Sequence, residues 1–290
     1  MIIVITGPTA LGKTKSAIKV AKTFNAEIIN GDAFQVYKEL NIGTAKPTPD
    51  ELSCVEHHLY SFVEPTHNYS IAEYQCNLRE KIQELLVKNK NIVIVGGSGL
   101  YIRSALYDYE FLPNKDVDMS MFEKMSNDEL HNYLENIDPK QAKIIHPNNR
   151  KRILRAIEIY LSTGESKTNL IEKQNHKLLF DARFFVRDLN RDELYNRINQ
   201  RVDEMFKDGL VDEVKSLIAK YDSRLNCFQA IGYKEIIDCL NNKCDIELTK
   251  ELIKQHTRNY AKRQLTFIRH QFDVVFYKND EQLLKEIQNG

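Results

Sequence analysis

The segment Gly7–Thr14 reads G-P-T-A-L-G-K-T and constrains this chain more than any other. It follows the apolar run Ile2–Ile5 and precedes a sequence of helical periodicity, so it joins a predicted strand to a predicted helix. Glycines let the backbone curl with its N–H groups inward, and the helix start adds its positive dipole end. Lys13 supplies a point charge, and Thr14 supplies a hydroxyl suited to magnesium. The segment therefore predicts a phosphate-binding loop in an α/β fold.

We expect the whole loop to bind a diphosphate through its backbone amides, its lysine and its hydroxyl. The residues concerned are Gly7, Pro8, Thr9, Ala10, Leu11, Gly12, Lys13 and Thr14, and Thr14 is the predicted metal ligand. Enzymes that hydrolyse nucleotides with such a loop carry an acid after a later apolar strand, whereas the run Ile92–Val95 is followed by Gly96–Gly99. The strand-end acid is instead Asp32, which suits proton abstraction. A helix or turn cap is the alternative role for Asp32.

Short apolar runs alternate with helical periodicity along most of the chain, which is typical of a parallel sheet with crossover helices. This rhythm stops between Pro113 and about His176, where the sequence is polar and helix-prone. We predict a P-loop NTPase-like parallel sheet flanked by helices, formed by 1–112 and 178–290, with an inserted helical lobe at 113–177. The predicted strands are Ile2–Ile5, Glu27–Ile29, Leu59–Val63, Ile92–Val95, Leu179–Val186 and Val274–Tyr277.

Three features are predicted after the inserted lobe. An amphipathic stretch runs from Arg191 to Tyr221, a glycine-centred turn lies at Gly232, and a further helix extends from about Ile246 to Gln271.

Composition narrows the class of protein. The 41 basic and 41 acidic side chains cancel, so net charge neither favours nor opposes a nucleic-acid partner. No apolar run approaches the roughly 18 residues of a membrane span, and no charged leader precedes the first strand. The five cysteines show no metal-binding spacing, which favours reduced thiols. We expect a cytoplasmic protein without a membrane segment.

Nine sequence blocks in order across nearly the whole chain identify a family resemblance. The chain resembles the tRNA dimethylallyltransferases, also called tRNA isopentenyltransferases, of the bacterial type. The blocks are G-P-T-A-L-G-K-T, D-A-F-Q-V-Y-K (Asp32 to Lys38), N-I-G-T-A-K-P (Asn41 to Pro47), H-H-L (His57 to Leu59), V-G-G-S-G-L-Y (Val95 to Tyr101), H-P-N-N-R-K-R-I-L-R-A-I-E (His146 to Glu158), G-L-V-D-E-V (Gly209 to Val214), Q-A-I-G-Y-K-E (Gln229 to Glu235) and T-R-N-Y-A-K-R-Q (Thr257 to Gln264).

The resemblance implies transfer of a dimethylallyl group from dimethylallyl diphosphate to the exocyclic amine of the adenosine just 3′ of the anticodon, with release of pyrophosphate. It implies that Asp32 is the general base, and that Lys13, Arg201 and a magnesium ion at Thr14 stabilise the departing pyrophosphate. Arg197 lies one helical turn from Arg201, and we interpret it as part of a solvated basic stripe.

The resemblance also implies a tRNA-binding surface. Two basic clusters agree with it: Lys254, Arg258 and Lys262 recur every four residues, and a second cluster includes Arg150–Arg152 and Arg155. Phe34 and Tyr37 are candidates for stacking on a flipped adenine, and an ordinary core position is the alternative for either. The implied tRNA-binding residues are Asp32, Ala33, Phe34, Gln35, Ser98, Lys151, Arg152, Ile153, Leu154, Arg155, Gln229, Ala230, Ile231, Gly232, Tyr233 and Lys234.

Two residues depart from the family pattern, and three other functions stay open. Ser98 replaces a common threonine and keeps the hydroxyl, whereas Ala33 replaces a common serine and loses it. A prenyltransferase acting on free adenine nucleotides, a small-molecule kinase and a nucleotide-dependent RNA-binding module are the alternatives. We expect a monomer that binds the tRNA anticodon stem-loop and dimethylallyl diphosphate and uses Mg²⁺. Whether ATP also binds the loop is left open.

Overall fold

A computed structural model of the protein describes residues 1–111 and 117–289. It divides into two compact units, of which the larger comprises Met1–Leu106 and Leu178–Gly290 and the smaller comprises Tyr107–Lys177. The predicted lobe boundary at 113 falls among residues outside the described part.

The larger unit contains one sheet of six parallel strands in the order β3-β2-β4-β1-β5-β6. Strands β2, β4 and β1 are almost completely buried, as their runs of Ile and Val predict for a parallel sheet covered on both faces. The predicted α/β fold is thereby confirmed. The strands are β1 Ile2–Thr6, β2 Ala26–Asn30, β3 His57–His58, β4 Asn91–Gly96, β5 Ala182–Arg187 and β6 Val274–Tyr277.

Helices flank this sheet in the larger unit. Glycine in the left-handed region ends one helix before the next, as at Gly209 with φ of 95°, so the predicted stretch Arg191–Tyr221 consists of two helices. The helices of the larger unit are α1 Lys13–Phe24, α2 Pro49–Ser53, α3 Ile71–Val87, α4 Gly99–Leu106, α10 Arg191–Lys207, α11 Leu210–Lys220, α12 Tyr233–Leu240, α13 Ile246–Gln271 and α14 Asp280–Gln288, with a 3₁₀ turn at Asn226–Gln229.

The described part of the smaller unit is helical, with its own apolar core around Leu130, Leu134, Ile153 and Ile157. Capping side chains set the helix starts: Ser126 accepts a hydrogen bond from the Glu129 amide. Its helices are α5 Ser120–Lys124, α6 Asn127–Ile137, α7 Pro139–Ile144, α8 Arg150–Thr163 and α9 Lys167–Glu172.

Two strand predictions were wrong in position. Residues 59–63 do not form a strand, because Leu59 and Ser61 have φ of 62° and 50°, which breaks the extended backbone. The strand lies just before them, at His57–His58. The strand predicted at Leu179–Val186 begins instead at Ala182. Among residues 1–111 and 117–289, none of the helices combines the length and the apolar composition of a membrane span.

Candidate active site

The phosphate-binding loop connects β1 to α1 as the sequence predicted. Gly7 and Gly12 have φ of 141° and 75°, which glycine adopts without strain. A Cβ at Gly7 would lie 2.8 Å from the Leu11 Cδ1 atom, so the loop closes tightly there. The Lys13 ammonium donates a hydrogen bond of 2.6 Å to the Pro8 carbonyl oxygen. Leu11 is itself buried against α10 and α13, so among the predicted diphosphate-binding residues its side chain belongs to the core.

A cavity of about 380 Å³ opens beside this loop in the larger unit. Lys13, Thr14, Asp32 and Arg201 all line it, so the four predicted catalytic residues lie in one cavity. Arg263 lines it as well, so the described lining holds three cations and one carboxylate, that of Asp32. This balance favours an anionic ligand.

Asp32 both shapes a turn and keeps a free oxygen. Its Oδ1 atom accepts hydrogen bonds from the Phe34 amide at 2.9 Å and the Gln35 amide at 3.4 Å. In the described part of the chain, Oδ2 has no hydrogen-bond partner. Burial raises the pKa of Asp32 above its ordinary value, although Lys13 and Arg201 act in the opposite direction. Both roles weighed for Asp32 are therefore compatible: one oxygen caps the turn and the other can accept a proton.

The two cations beside Asp32 are poorly solvated. Burial, with a smaller contribution from Arg201, lowers the pKa of Lys13 to about 7. Burial also lowers the pKa of Arg201, and the Asp32 carboxylate counteracts it. Removing water from two like charges is unfavourable unless an anion joins them. The geometry therefore suits a phosphate-bearing ligand that lies between α1 and α10.

A carboxylate that sequence reasoning missed fixes the wall formed by the loop at 41–46. The Glu213 carboxylate accepts hydrogen bonds from the amides of Asn41, Ile42 and Gly43, at 3.0, 2.8 and 3.2 Å, and from the Tyr233 hydroxyl at 2.7 Å. Gly43 and the two residues after it line the cavity. Glu213 stands in the quoted block G-L-V-D-E-V, but the three amides that it binds lie about 170 residues away in sequence.

The V-G-G-S-G block brings β4 against the turn that carries Asp32. A Cβ at Gly96 would lie 2.0 Å from the Gly31 carbonyl, so only glycine allows this approach. The Ser98 hydroxyl oxygen accepts a hydrogen bond of 2.9 Å from the Ala33 amide. Ser98 therefore holds the segment around Asp32, a contact that the sequence did not predict.

Several predicted tRNA-binding residues line the cavity, and others do not. Phe34 and Gln35 line it, together with Gln229, Ala230 and Ile231. Of the two stacking candidates, Tyr37 is a core residue with 3% exposure, which is the alternative role considered for it.

The rest of the Q-A-I-G-Y-K-E block divides between core and surface. Tyr233 is fully buried and Gly232 is buried, whereas Lys234 is exposed. The side chain of Tyr233 is therefore a support for the wall and is unavailable to a macromolecular partner.

In the smaller unit, the predicted tRNA-binding residues on α8 also divide between core and surface. Lys151 and Arg152 are exposed, whereas Ile153 is fully buried and Leu154 packs on the core. Those two apolar side chains pack in the core of the smaller unit, and their predicted contact with tRNA stays a prediction. Arg155 forms an ion pair of 2.7 Å with Glu158.

Arg150, from the same basic cluster, is also structural. Its guanidinium donates hydrogen bonds to the carbonyl oxygens of Phe122, Glu123 and Met125. It therefore joins the start of α8 to α5 and the residue that follows α5.

The basic face predicted on α13 is partly neutralised. Lys254, with only 12% of its side chain exposed, forms ion pairs with Asp203 and Glu251 at 2.9 Å each. Arg258 donates a hydrogen bond to the Asn199 side chain. Lys262 is exposed. Sequence reasoning missed the pairing with Asp203 because that acid comes from α10, whereas Glu251 lies three residues earlier on α13 itself.

Arg187, at the end of β5, is another residue near the site that the sequence did not predict. Its Nη1 atom would lie 3.6 Å from a Cβ at Gly12, which adds a cation beside the phosphate-binding loop.

The donor set for a metal is small. The described residues contain no group of three His, Cys, Asp or Glu side chains that could hold an ion. Thr14 offers a hydroxyl in the cavity, which fits a magnesium ion whose other ligands are phosphate oxygens and water.

Comparison with known proteins decides the family. The family model described as "IPP transferase" matches residues 35–271. The chain belongs to this IPP transferase family. A tRNA dimethylallyltransferase of Bacillus licheniformis is 44% identical, over 99% of this chain and 95% of the relative.

Solved structures of family members agree with the fold. A tRNA delta(2)-isopentenylpyrophosphate transferase from Staphylococcus epidermidis is 38% identical with a TM-score of 0.74, over 99% of this chain and 97% of that one. A eukaryotic dimethylallyltransferase acting on tRNA is 28% identical with a TM-score of 0.82, over 97% of this chain and 75% of that one. The resemblance inferred from the nine blocks is thus confirmed.

Proposed function

We propose that this IPP transferase family member transfers a dimethylallyl group from dimethylallyl diphosphate to the exocyclic amine of the adenosine 3′-adjacent to the anticodon in tRNA. The observation that carries the proposal is that Lys13, Thr14, Arg201 and Asp32 share one cavity. A diphosphate needs the cations and the amides of the loop, and an amine nucleophile needs a base beside the reacting carbon. The relatives named tRNA dimethylallyltransferase support the same reaction.

In the proposed reaction the diphosphate lies against the loop between Lys13 and Arg201. The amine nitrogen attacks the first carbon of the dimethylallyl group, and a carbon–nitrogen bond forms as the carbon–oxygen bond breaks. The electron pair of the broken bond leaves on pyrophosphate, and Asp32 accepts a proton from the amine. Magnesium, held by Thr14 and phosphate oxygens, would neutralise charge on the leaving group.

The remaining lining suits the five-carbon chain. Four apolar residues from α10 and α13 face the cavity, and they offer the donor's hydrocarbon part a surface without hydrogen-bond requirements. They are Ile198, Val202, Met205 and Ile253.

The tRNA is proposed to bind in part through exposed Lys151, Arg152 and Lys234. We also propose a monomer that works in the cytoplasm.

The test is label transfer from labelled dimethylallyl diphosphate, with magnesium, to undermodified tRNA or AMP, alongside a parallel incubation with ATP. Label on tRNA alone supports the proposal. Label on AMP, or only phosphate transfer from ATP, contradicts it. Asp32→Asn is expected to lower turnover by about two to four orders of magnitude with tRNA affinity nearly intact. Asp212→Asn, an exposed acid on α11, is the matched control.

Lys13→Ala tests whether the phosphate-binding loop serves catalysis or tRNA binding. Because Lys13 contacts the loop and the leaving group, we expect catalysis to fall far more than tRNA binding. An equal loss of both would contradict the assignment of the loop to the donor.

A further inference from the structure

Gln264, on α13, carries a buried acceptor that the proposed reaction has not yet used. Its side chain lines the cavity and is only 6% exposed. Its Nε2 atom donates a hydrogen bond of 2.8 Å to the Gly97 carbonyl oxygen. Its Oε1 atom is buried and has no hydrogen-bond partner among residues 1–111 and 117–289. Buried polar atoms of this kind are nearly always paired, so this one calls for a ligand.

The chemistry of its neighbours fixes which end of the amide is free. A carbonyl oxygen only accepts hydrogen bonds, so the nitrogen of Gln264 must face Gly97 and the oxygen must face away. Gly97 permits this approach because a Cβ there would lie 2.3 Å from Nε2. Sequence position 97 is followed by Ser98, whose hydroxyl holds the Ala33 amide next to Asp32. Gln264 and the proposed base Asp32 both line the cavity.

Only one of the two substrates can supply a donor. Ionised dimethylallyl diphosphate has no N–H or O–H group, and its hydrocarbon part has none. The exocyclic amine of adenine has two N–H groups. We propose that Gln264 Oε1 accepts a hydrogen bond from one N–H while Asp32 removes the proton of the other. This inference rests on the proposed function.

The assignment gives Gln264 a role through the whole step. Before transfer, two acceptors hold the two N–H groups and leave the nitrogen lone pair for the dimethylallyl carbon. As the carbon–nitrogen bond forms and pyrophosphate leaves, one proton passes to Asp32. The product nitrogen keeps its other hydrogen, which stays on Gln264. The glutamine therefore orients the nucleophile without gaining or losing a proton.

The experiment compares two anticodon stem-loop RNAs that carry either adenosine or purine riboside, which lacks the amine, at the target position. Dissociation constants are measured for the wild-type protein, Gln264→Met and Gln255→Met. Gln255 is an exposed glutamine on the same helix and serves as the matched control. We expect wild type and Gln255→Met to prefer adenosine. Gln264→Met should reduce that preference about tenfold while its affinity for the purine loop is unchanged.

A purely structural role for Gln264 would weaken binding of both RNAs equally, and that result would overturn the proposal. An unchanged preference would overturn it too. Gln264→Leu provides a second variant without an acceptor, and retained affinity for dimethylallyl diphosphate shows that either variant is folded. If the wild-type protein transfers no label to the adenosine loop, the proposed function fails, whereas the glutamine proposal fails only through the preference ratio.

Discussion

Replacing Glu213 tests whether one carboxylate holds the cavity wall at 41–46. Alanine removes the acceptor of three backbone amides and of the Tyr233 hydroxyl at once. Asn41 is exposed, so water can replace its lost bond, but the Ile42 and Gly43 amides and the Tyr233 hydroxyl are partly buried. At about 1 kcal/mol for each of these three bonds, Glu213→Ala should lower the free energy of unfolding by about 3 kcal/mol.

Two smaller substitutions at this site test how much individual hydrogen bonds contribute to the free energy of unfolding. Tyr233→Phe deletes one donor and keeps the buried ring, so it should cost about 1 kcal/mol. Glu213→Gln keeps the size of the side chain but can turn an N–H toward backbone N–H groups, so it should resemble alanine more than wild type.

The assay combines urea unfolding with steady-state kinetics. Because the wall contains none of the residues assigned to the diphosphate, KM for tRNA should rise while affinity for dimethylallyl diphosphate stays the same. Asp212→Ala, at the adjacent exposed position, is the control and should change neither quantity. A loss below 1 kcal/mol for Glu213→Ala, or an equal loss of donor affinity, would refute the role given to this carboxylate.

Three further predictions follow from the same geometry. Asp32 must be ionised to act as a base, so kcat/KM should fall as pH falls through its raised pKa. Arg201→Met removes a positive charge that lowers this pKa, so the acidic limb of the pH–rate profile should move to higher pH. Gly96→Ala forces a Cβ against backbone 2.0 Å away and should cost about 3 kcal/mol in thermal or urea unfolding; a cost near zero would contradict the close approach. Lys151→Ala should reduce the slope of log K for tRNA against log salt by about 1, whereas Lys254→Ala, already paired with acids, should leave it unchanged; equal slopes for both would contradict the assigned surface.

Local signals predicted the parts of the fold that depend on neighbouring residues. The loop at Gly7–Thr14 and the helix Ile246–Gln271 were predicted almost to the residue, because turn chemistry and helical periodicity are encoded within a short window. The strand at 59–63 was misplaced because its apolar composition gives no sign of the positive φ values at Leu59 and Ser61.

Long-range pairing explains most of what the sequence did not reveal about the site. Glu213 carries no local signature, since its meaning comes from amides about 170 residues earlier. One of the two acids that pair with Lys254, Asp203, comes from α10 and has no signal near Lys254 in the sequence. Ile153 is a different case, because its spacing from Ala156 and Ile157 is that of a buried helix face and could have identified it as core.

The electrostatics of the cavity favour binding of dimethylallyl diphosphate before the amine loses its proton. In the free protein, Lys13 and Arg201 both lower the pKa of Asp32, against the larger effect of its burial. A diphosphate that pairs with these two cations would cancel much of their effect on the carboxylate, and the same anion would favour the charged form of Lys13, whose pKa burial lowers to about 7. The proton affinity of Asp32 should therefore rise when the donor binds. The base is thus expected to be strongest at the moment when the dimethylallyl carbon is present to accept the amine.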